Sequence, residues 1–83
     1  MNCITALNNA INVLSKAYKG SDKEVFNMFR STGNYYYKNE EWGYFFDLFD
    51  EIREYAEFTN DNRIEFLVKG HLAECKNMLQ LEM

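Results

Sequence analysis

Residues 42–56 read WGYFFDLFDEIREYA, and the spacing of their apolar side chains decides the fold class. The apolar positions recur at intervals of three, four, three and four residues, at Trp42, Phe45, Phe49, Ile52 and Ala56. This is the period of one face of an α-helix, whereas a half-buried strand alternates at every second residue. The spacing therefore predicts a helix that begins after an N-cap at Asn39, carries Glu40 and Glu41 in its first turn and ends near Phe58.

The same period appears near both ends of the chain. The first set is Ile4, Leu7, Ile11, Leu14 and Tyr18, and the last set is Ile64, Val68, His71, Cys75 and Met78. The first predicts a helix from about Asn2 to about Lys19 that stops at Gly20. The last predicts a helix capped by Asn62, with Gly70 in its interior, where we expect a neighbouring helix to approach closely.

The segment between Gly20 and Asn39 predicts a short helix. Ser21 and Glu24 have the spacing of a capping box at its start. It buries the apolar residues Val25, Phe26, Met28 and Phe29 and is ended by Ser31, Thr32 and Gly33. Residues 34–38 contain three consecutive tyrosines, which favour extended structure, so this stretch is open between loop and helix.

These elements predict an all-α fold with one domain over residues 1–83. We expect a compact bundle of three long helices plus one short helix, four in total, joined by short loops. The composition is 47% hydrophobic and 17% aromatic, which excludes a disordered chain. Asparagines interrupt the first eighteen residues and no long uncharged apolar run occurs, so neither a signal peptide nor membrane insertion is expected.

Both cysteines, Cys3 and Cys75, fall on apolar stripes. A secreted domain of this size usually carries at least four, so two buried thiols in a reducing compartment are predicted, and with them a cytoplasmic location. His71 and Cys75 share a helical face and are the candidate metal or nucleophile pair. No further ligand cluster accompanies them, and Glu74 is expected to point away. We therefore predict no metal, no cofactor and no enzymatic activity.

Charge is unevenly distributed along the chain. Up to Lys38 five basic residues face two acids, a net +3, whereas from Asn39 onward eleven acids face four bases, a net −7; these sum to the overall −4. The acids concentrate in the third helix, at Asp47, Asp50, Glu51 and Glu54 among others. This face is open to three explanations: a solvated face, neutralisation by Lys16, Lys19 and Lys23, or a basic partner. An acidic chain argues against nucleic-acid binding.

Besides the acidic face, aromatic side chains are the second feature that indicates a binding surface. Tyr35, Tyr36, Tyr37 and Tyr44 do not all fit one core stripe, so some of them are expected to face outward. Tyrosine and tryptophan are enriched where protein interfaces concentrate their binding energy. The alternative is that they cover the ends of a small core.

These observations predict a small regulator or inhibitor that docks another protein, with a basic surface, through its acidic and aromatic helix. The predicted partner-binding residues are Tyr35, Tyr36, Tyr37, Trp42, Tyr44, Asp47, Asp50, Glu51 and Glu54. The first alternative is a chaperone-like or structural homodimer, and the remote one is a small-ligand or metal site. Because the aromatic content exceeds what one core of this size readily hides, self-association as a homodimer is also predicted. Abundant asparagine, lysine and tyrosine without proline is typical of an AT-rich bacterial or phage gene.

Overall fold

The computed structural model describes residues 2–20 and 22–82, which form four helices. They are α1 (Cys3–Ala17), α2 (Lys23–Lys38), α3 (Trp42–Phe58) and α4 (Asn62–Glu82). The helices alternate in direction: Tyr18 and Phe26 meet Tyr55 at one end, while Tyr37 packs on Trp42 at the other. The predicted all-α bundle is confirmed. No helix of the described residues is both long and apolar enough to cross a membrane.

Helix α2 differs from its prediction in length. It has 16 residues against 15 in α1, so it is not a short helix, and it continues through Ser31, Thr32 and Gly33 to include residues 34–38. The Ser31 hydroxyl donates to the Asn27 carbonyl oxygen at 3.1 Å, which satisfies it inside the helix. Gly33 is buried against α1 and α3, so tertiary packing overrides the weak helix propensity of this segment.

The connection from α2 to α3 corrects a second prediction. Asn39 is the C-cap of α2 rather than the N-cap of α3, and its side-chain amide donates to the Tyr35 carbonyl oxygen at 2.8 Å. Glu40 adopts a left-handed backbone with φ 56°, which turns the chain, and α3 begins only at Trp42. Glu40 and Glu41 therefore precede the helix instead of lying in its first turn. The predicted end at Phe58 is confirmed.

Helix α1 matches its prediction closely. The Asn2 side chain accepts from the Thr5 backbone N–H at 2.9 Å and caps the helix, which ends at Ala17. Lys19 and Gly20 then take left-handed conformations, with φ 48° and 85°, and end the helix as expected of the glycine. The predicted capping box at the start of α2 involves Ser21, which lies outside the described residues.

Helix α4 is capped one residue earlier than predicted. Asn62 is its first residue, and the cap is Asp61, whose Oδ1 accepts the backbone N–H of Arg63 at 2.9 Å and of Ile64 at 3.4 Å. Gly70 lies on the exposed side, and a Cβ added there would meet nothing within 4 Å. The expectation that another helix approaches Gly70 is therefore wrong.

The Asp61 cap leads to a direct prediction. Asp61→Ala is expected to lower the free energy of unfolding by about 1 kcal/mol, because two backbone donors lose their acceptor. Asn62→Ala, the matched control, is expected to change it by less than about 0.5 kcal/mol, since alanine is a good helix former inside the first turn. Urea denaturation of the two variants measures both values, and the opposite ranking would restore Asn62 as the cap.

The core contains residues from the predicted stripes of all four helices, but Met28, which was predicted to be buried, is 54% exposed. Its buried hydrophobic residues are Cys3, Ala6, Leu7, Ala10, Ile11, Leu14, Phe26, Phe29, Phe45, Leu48, Phe49, Ile52, Ala56, Val68, Leu72, Cys75 and Leu79. None of the described polar or charged residues is buried. The core is thus entirely apolar, and every polar side chain described lies at least partly at the surface.

The state of Cys3 and Cys75 also differs from its prediction. Both are fully buried on apolar stripes, as expected, but they are joined in a disulfide rather than present as thiols. The first turn of α1 packs against the C-terminal half of α4, which brings the two Cα atoms to 4.2 Å although 72 residues separate them in sequence. The prediction of a reducing compartment depended on free thiols, so the disulfide removes the support for it.

Candidate protein-docking site

A groove between α2 and α3 contains four of the predicted binding residues. It is lined by Met28, Phe29, Thr32, Tyr36, Tyr44, Asp47, Leu48 and Glu51 and has a volume of about 360 Å³. Phe29 and Leu48 are buried and form its floor, whereas Met28 is 54% exposed on one wall. The groove therefore combines an apolar floor with an aromatic and an acidic edge.

Tyrosines form the aromatic edge. Tyr36 and Tyr44 stack across the two helices, with ring centroids 5.5 Å apart and an interplanar angle of 25°. Tyr35 meets Tyr36 edge-on at 6.0 Å. Tyr35 and Tyr44 are 63% and 60% exposed, so ring surface faces solvent instead of closing the core. The prediction that some of the tyrosines face outward holds for these two.

The acidic edge consists of Asp47 and Glu51. They lie four residues apart on α3, where like charges cost a helix about 0.2–0.5 kcal/mol. Both are exposed, and among residues 2–20 and 22–82 no cation lies within 4.0 Å of either carboxylate. No ion pair among the described residues offsets their mutual repulsion.

The remaining acids of α3 have other surroundings. Asp50 pairs with Arg53 at 2.5 Å, and Glu57 lies 3.9 Å from Lys69 of α4. Glu54 is exposed outside the groove. Neutralisation by Lys16, Lys19 and Lys23 was one explanation of this face, but none of these lysines pairs with a carboxylate in the part of the chain that the structure describes.

Tyr37 and Trp42 lie away from the groove, at the end of the bundle. Their rings meet edge-on at 5.9 Å, and both pack on Phe45 of the core. The Tyr37 hydroxyl donates to the Glu82 carboxylate, and this bond raises the pKa of Tyr37 above its ordinary value. These two residues have structural partners within the chain, and we do not include them in the docking groove.

A second groove lies between α3 and α4. It is lined by Trp42, Phe46, Lys76, Leu79 and Gln80 and has a volume of about 470 Å³. It is larger than the α2–α3 groove but nearly all apolar, with the Lys76 ammonium 5.5 Å from the Phe46 ring centroid. Apart from Trp42, none of the predicted binding residues lines it.

Thr32 was missed as a groove residue because α2 was expected to end there, whereas Met28 was predicted to be buried in the core and is instead 54% exposed. In the longer helix, Met28, Thr32 and Tyr36 recur every four residues and lie on one face. The signal was therefore present in the sequence, and it becomes visible once the helix is extended through Gly33.

The candidate pair of His71 and Cys75 lacks the thiol that a nucleophile or a metal ligand needs. The Cys75 sulfur is bonded to Cys3, so it is not a free thiol in this structure. The Glu74 carboxylate lies 3.1 Å from His71 Nδ1, which contradicts the expectation that it points away, because residues three apart on a helix are neighbours. The described residues contain no group of three His, Cys, Asp or Glu side chains placed to hold a metal ion.

Fold and site together define a small all-helical bundle with an aromatic and acidic surface groove. Comparison of the chain with protein-family models, with curated proteins and with solved structures finds no match. The function is therefore inferred from the geometry of the groove alone.

Proposed function

We propose that this chain is a protein-binding regulator or inhibitor and that a partner protein docks in the groove between α2 and α3. One observation carries the proposal: exposed Tyr44 and Met28 lie beside Asp47 and Glu51, which have no cation partner among the described residues. Exposed aromatic and methionine side chains at one concave site are typical of interface centres. Carboxylates at the edge add orientation and rate of association.

The proposal is one of binding without catalysis, metal or cofactor. The acidic edge favours a partner with a basic surface and disfavours the phosphate backbone of nucleic acids. A bacterial or phage origin and a cytoplasmic location stay predictions. The cytoplasmic location rested partly on free thiols, and the Cys3–Cys75 disulfide favours an oxidising compartment instead.

The second candidate function is a homodimer, and the outward side of α4 is the observation that favours it. Exposed uncharged residues recur along it at intervals of four, three, four and four, at Phe66, Gly70, Ala73, Asn77 and Leu81. Phe66 is 76% and Leu81 81% exposed. This face lies opposite the core residues of α4 and away from the α2–α3 groove, so the two functions are compatible.

Site-directed photo-crosslinking separates the two candidates. A benzophenone side chain placed at Tyr44 is expected to capture one discrete partner from a lysate of the source organism, because Tyr44 lines the groove. The same side chain at Ala73, exposed on α4, serves as the matched control and is expected to capture no such partner. Met28→Lys should abolish capture from Tyr44, since it places a cation beside Asp47 and Glu51 that repels a basic partner.

Three results would count against the proposal. They are no capture from Tyr44, equal capture from both positions, or capture from Tyr44 that survives Met28→Lys. A product of twice the chain mass formed by purified protein, from Ala73 but not from Tyr44, would favour the homodimer.

A further inference from the structure

We infer that the occupant of the α2–α3 groove is an arginine-bearing segment of the partner, whose guanidinium lies between the tyrosine pair and the carboxylates of Asp47 and Glu51. This inference rests on the proposed protein-binding function and adds the chemistry of the contact. It follows from which groups in the groove lack a partner.

The carboxylates of the groove favour a cationic occupant. Asp47 and Glu51 are one helical turn apart on α3 and line the same groove, so a single planar group with several donors can reach both. None of the arginines in residues 2–20 and 22–82 supplies that group. Arg53 pairs with Asp50, Arg30 donates to Asn12 and Asn27 at 2.8 Å, and Arg63 lies at the start of α4, beside Phe66 and Leu67. An anionic or purely apolar occupant would leave both carboxylates uncompensated.

The tyrosines distinguish arginine from lysine. The stacked rings of Tyr36 and Tyr44 provide an aromatic edge next to the carboxylates. A guanidinium can stack on an aromatic face while donating in its plane, whereas an ammonium is a compact, strongly hydrated charge. The exposed Met28 side chain and the floor of Phe29 and Leu48 then accommodate the apolar stem of the arginine and a neighbouring apolar residue.

Labelled peptides test the inference on the full chain. Short capped peptides in which leucine alternates with arginine, lysine or glutamine are titrated with the protein at low salt, and binding is followed by fluorescence anisotropy. We expect the arginine peptide to bind about tenfold more tightly than the glutamine peptide, with the lysine peptide between them. Equal binding of the arginine and lysine peptides would overturn the arginine assignment.

Two charge-matched double variants supply the control. Asp47→Asn with Glu51→Gln is expected to weaken binding of the arginine peptide about tenfold, because it removes the charged acceptors. Asp50→Asn with Glu54→Gln changes the same residue types at the same spacing outside the groove, and less than a twofold effect is expected. Equal losses in both variants would mean attraction to net charge alone and would overturn the inference.

Thermal melts and the captured partner separate the remaining outcomes. The groove variant is expected to melt at or slightly above the wild-type temperature, since it loses a repulsive pair; a clear drop would assign these acids a structural role and overturn the inference. Undiminished capture from Tyr44 in that variant would reject the arginine contact while leaving protein binding intact. Tight arginine-peptide binding without any captured partner would support the groove chemistry and reject the proposed function.

Discussion

Replacing Cys3 and Cys75 together by alanine is expected to lower the free energy of unfolding by about 4 kcal/mol. The disulfide spans 72 residues of sequence, nearly the whole chain, so it restricts the unfolded chain strongly. Loop-closure entropy for a loop of this length corresponds to about 4 kcal/mol at room temperature. For a domain of this size that loss amounts to a fall of roughly 20 °C in the melting temperature.

Denaturant unfolding of the oxidised protein, the reduced protein and the double variant measures the effect. The reduced wild type and the double variant should unfold at similar denaturant concentrations, because both lack the covalent link and retain an apolar core at these positions. Each single alanine variant should lose nearly as much, since one cysteine alone closes no loop. A thiol titration of the wild-type protein, unfolded in the absence of reductant, provides the check. Two free thiols in that titration would mean that the disulfide is absent, and the prediction would fail.

The disulfide also connects stability to the environment. A bundle of this size buries a small core, so about 4 kcal/mol is a large part of the 5–15 kcal/mol typical of whole domains. We expect the protein to be robust where disulfides persist and marginal where thiols are kept reduced. The compartment in which it acts therefore determines how much of its stability is available.

Sequence reasoning recovered the burial of both cysteines but not their bond. Burial follows from position on an apolar stripe, which a helical period reveals directly. Pairing depends on how far α1 and α4 are shifted along one another, and this shift is set by packing across 72 residues of chain. A cysteine count alone favoured thiols, and only the assembled bundle places Cys3 beside Cys75.

For the site, too, the sequence predicted the individual residues but not how they are grouped. Asp47, Glu51, Tyr36 and Tyr44 were all predicted as binding residues, and the structure brings them to one groove. Nothing in the spacing showed that Tyr37 instead bonds to Glu82, 45 residues further along the chain. The residue types indicated which side chains belong to a binding surface. Which of them share one groove depends on how α2 packs on α3, and this could not be read from the sequence.

The largest local error concerned the role of glycine. Gly33 was expected to end a helix and Gly70 to admit a neighbouring helix, yet the close approach occurs at Gly33, and Gly70 lies exposed inside α4. At Gly33 an added Cβ would lie 2.6 Å from Leu7 Cδ2 and 3.4 Å from Leu48 Cδ2, so α2 is in close contact with α1 and α3. At Gly70 the same atom meets nothing within 4 Å. Helix propensity is alike at both sites, and only the neighbours distinguish them.

Gly33→Val is therefore expected to lower the free energy of unfolding by about 3 kcal/mol, although valine is the better helix former. The added methyl groups must displace Leu7 or Leu48 in a closely packed core, and such overpacking costs about 1–3 kcal/mol or more. Gly70→Val, the matched control, should stabilise the protein by less than about 0.5 kcal/mol through helix propensity alone. Denaturant unfolding measures both.

A double-variant cycle identifies the cause of the Gly33→Val effect. Leu7→Ala removes the atom nearest to the new side chain and alone should destabilise the protein, because Leu7 is buried. Combined with Gly33→Val, it should cost clearly less than the sum of the two single effects, since the valine then occupies the space that the leucine leaves. Additive losses would show that Leu7 and residue 33 do not compete for space. In that case the close approach of α1 and α2 at Gly33 would not be the reason for its glycine.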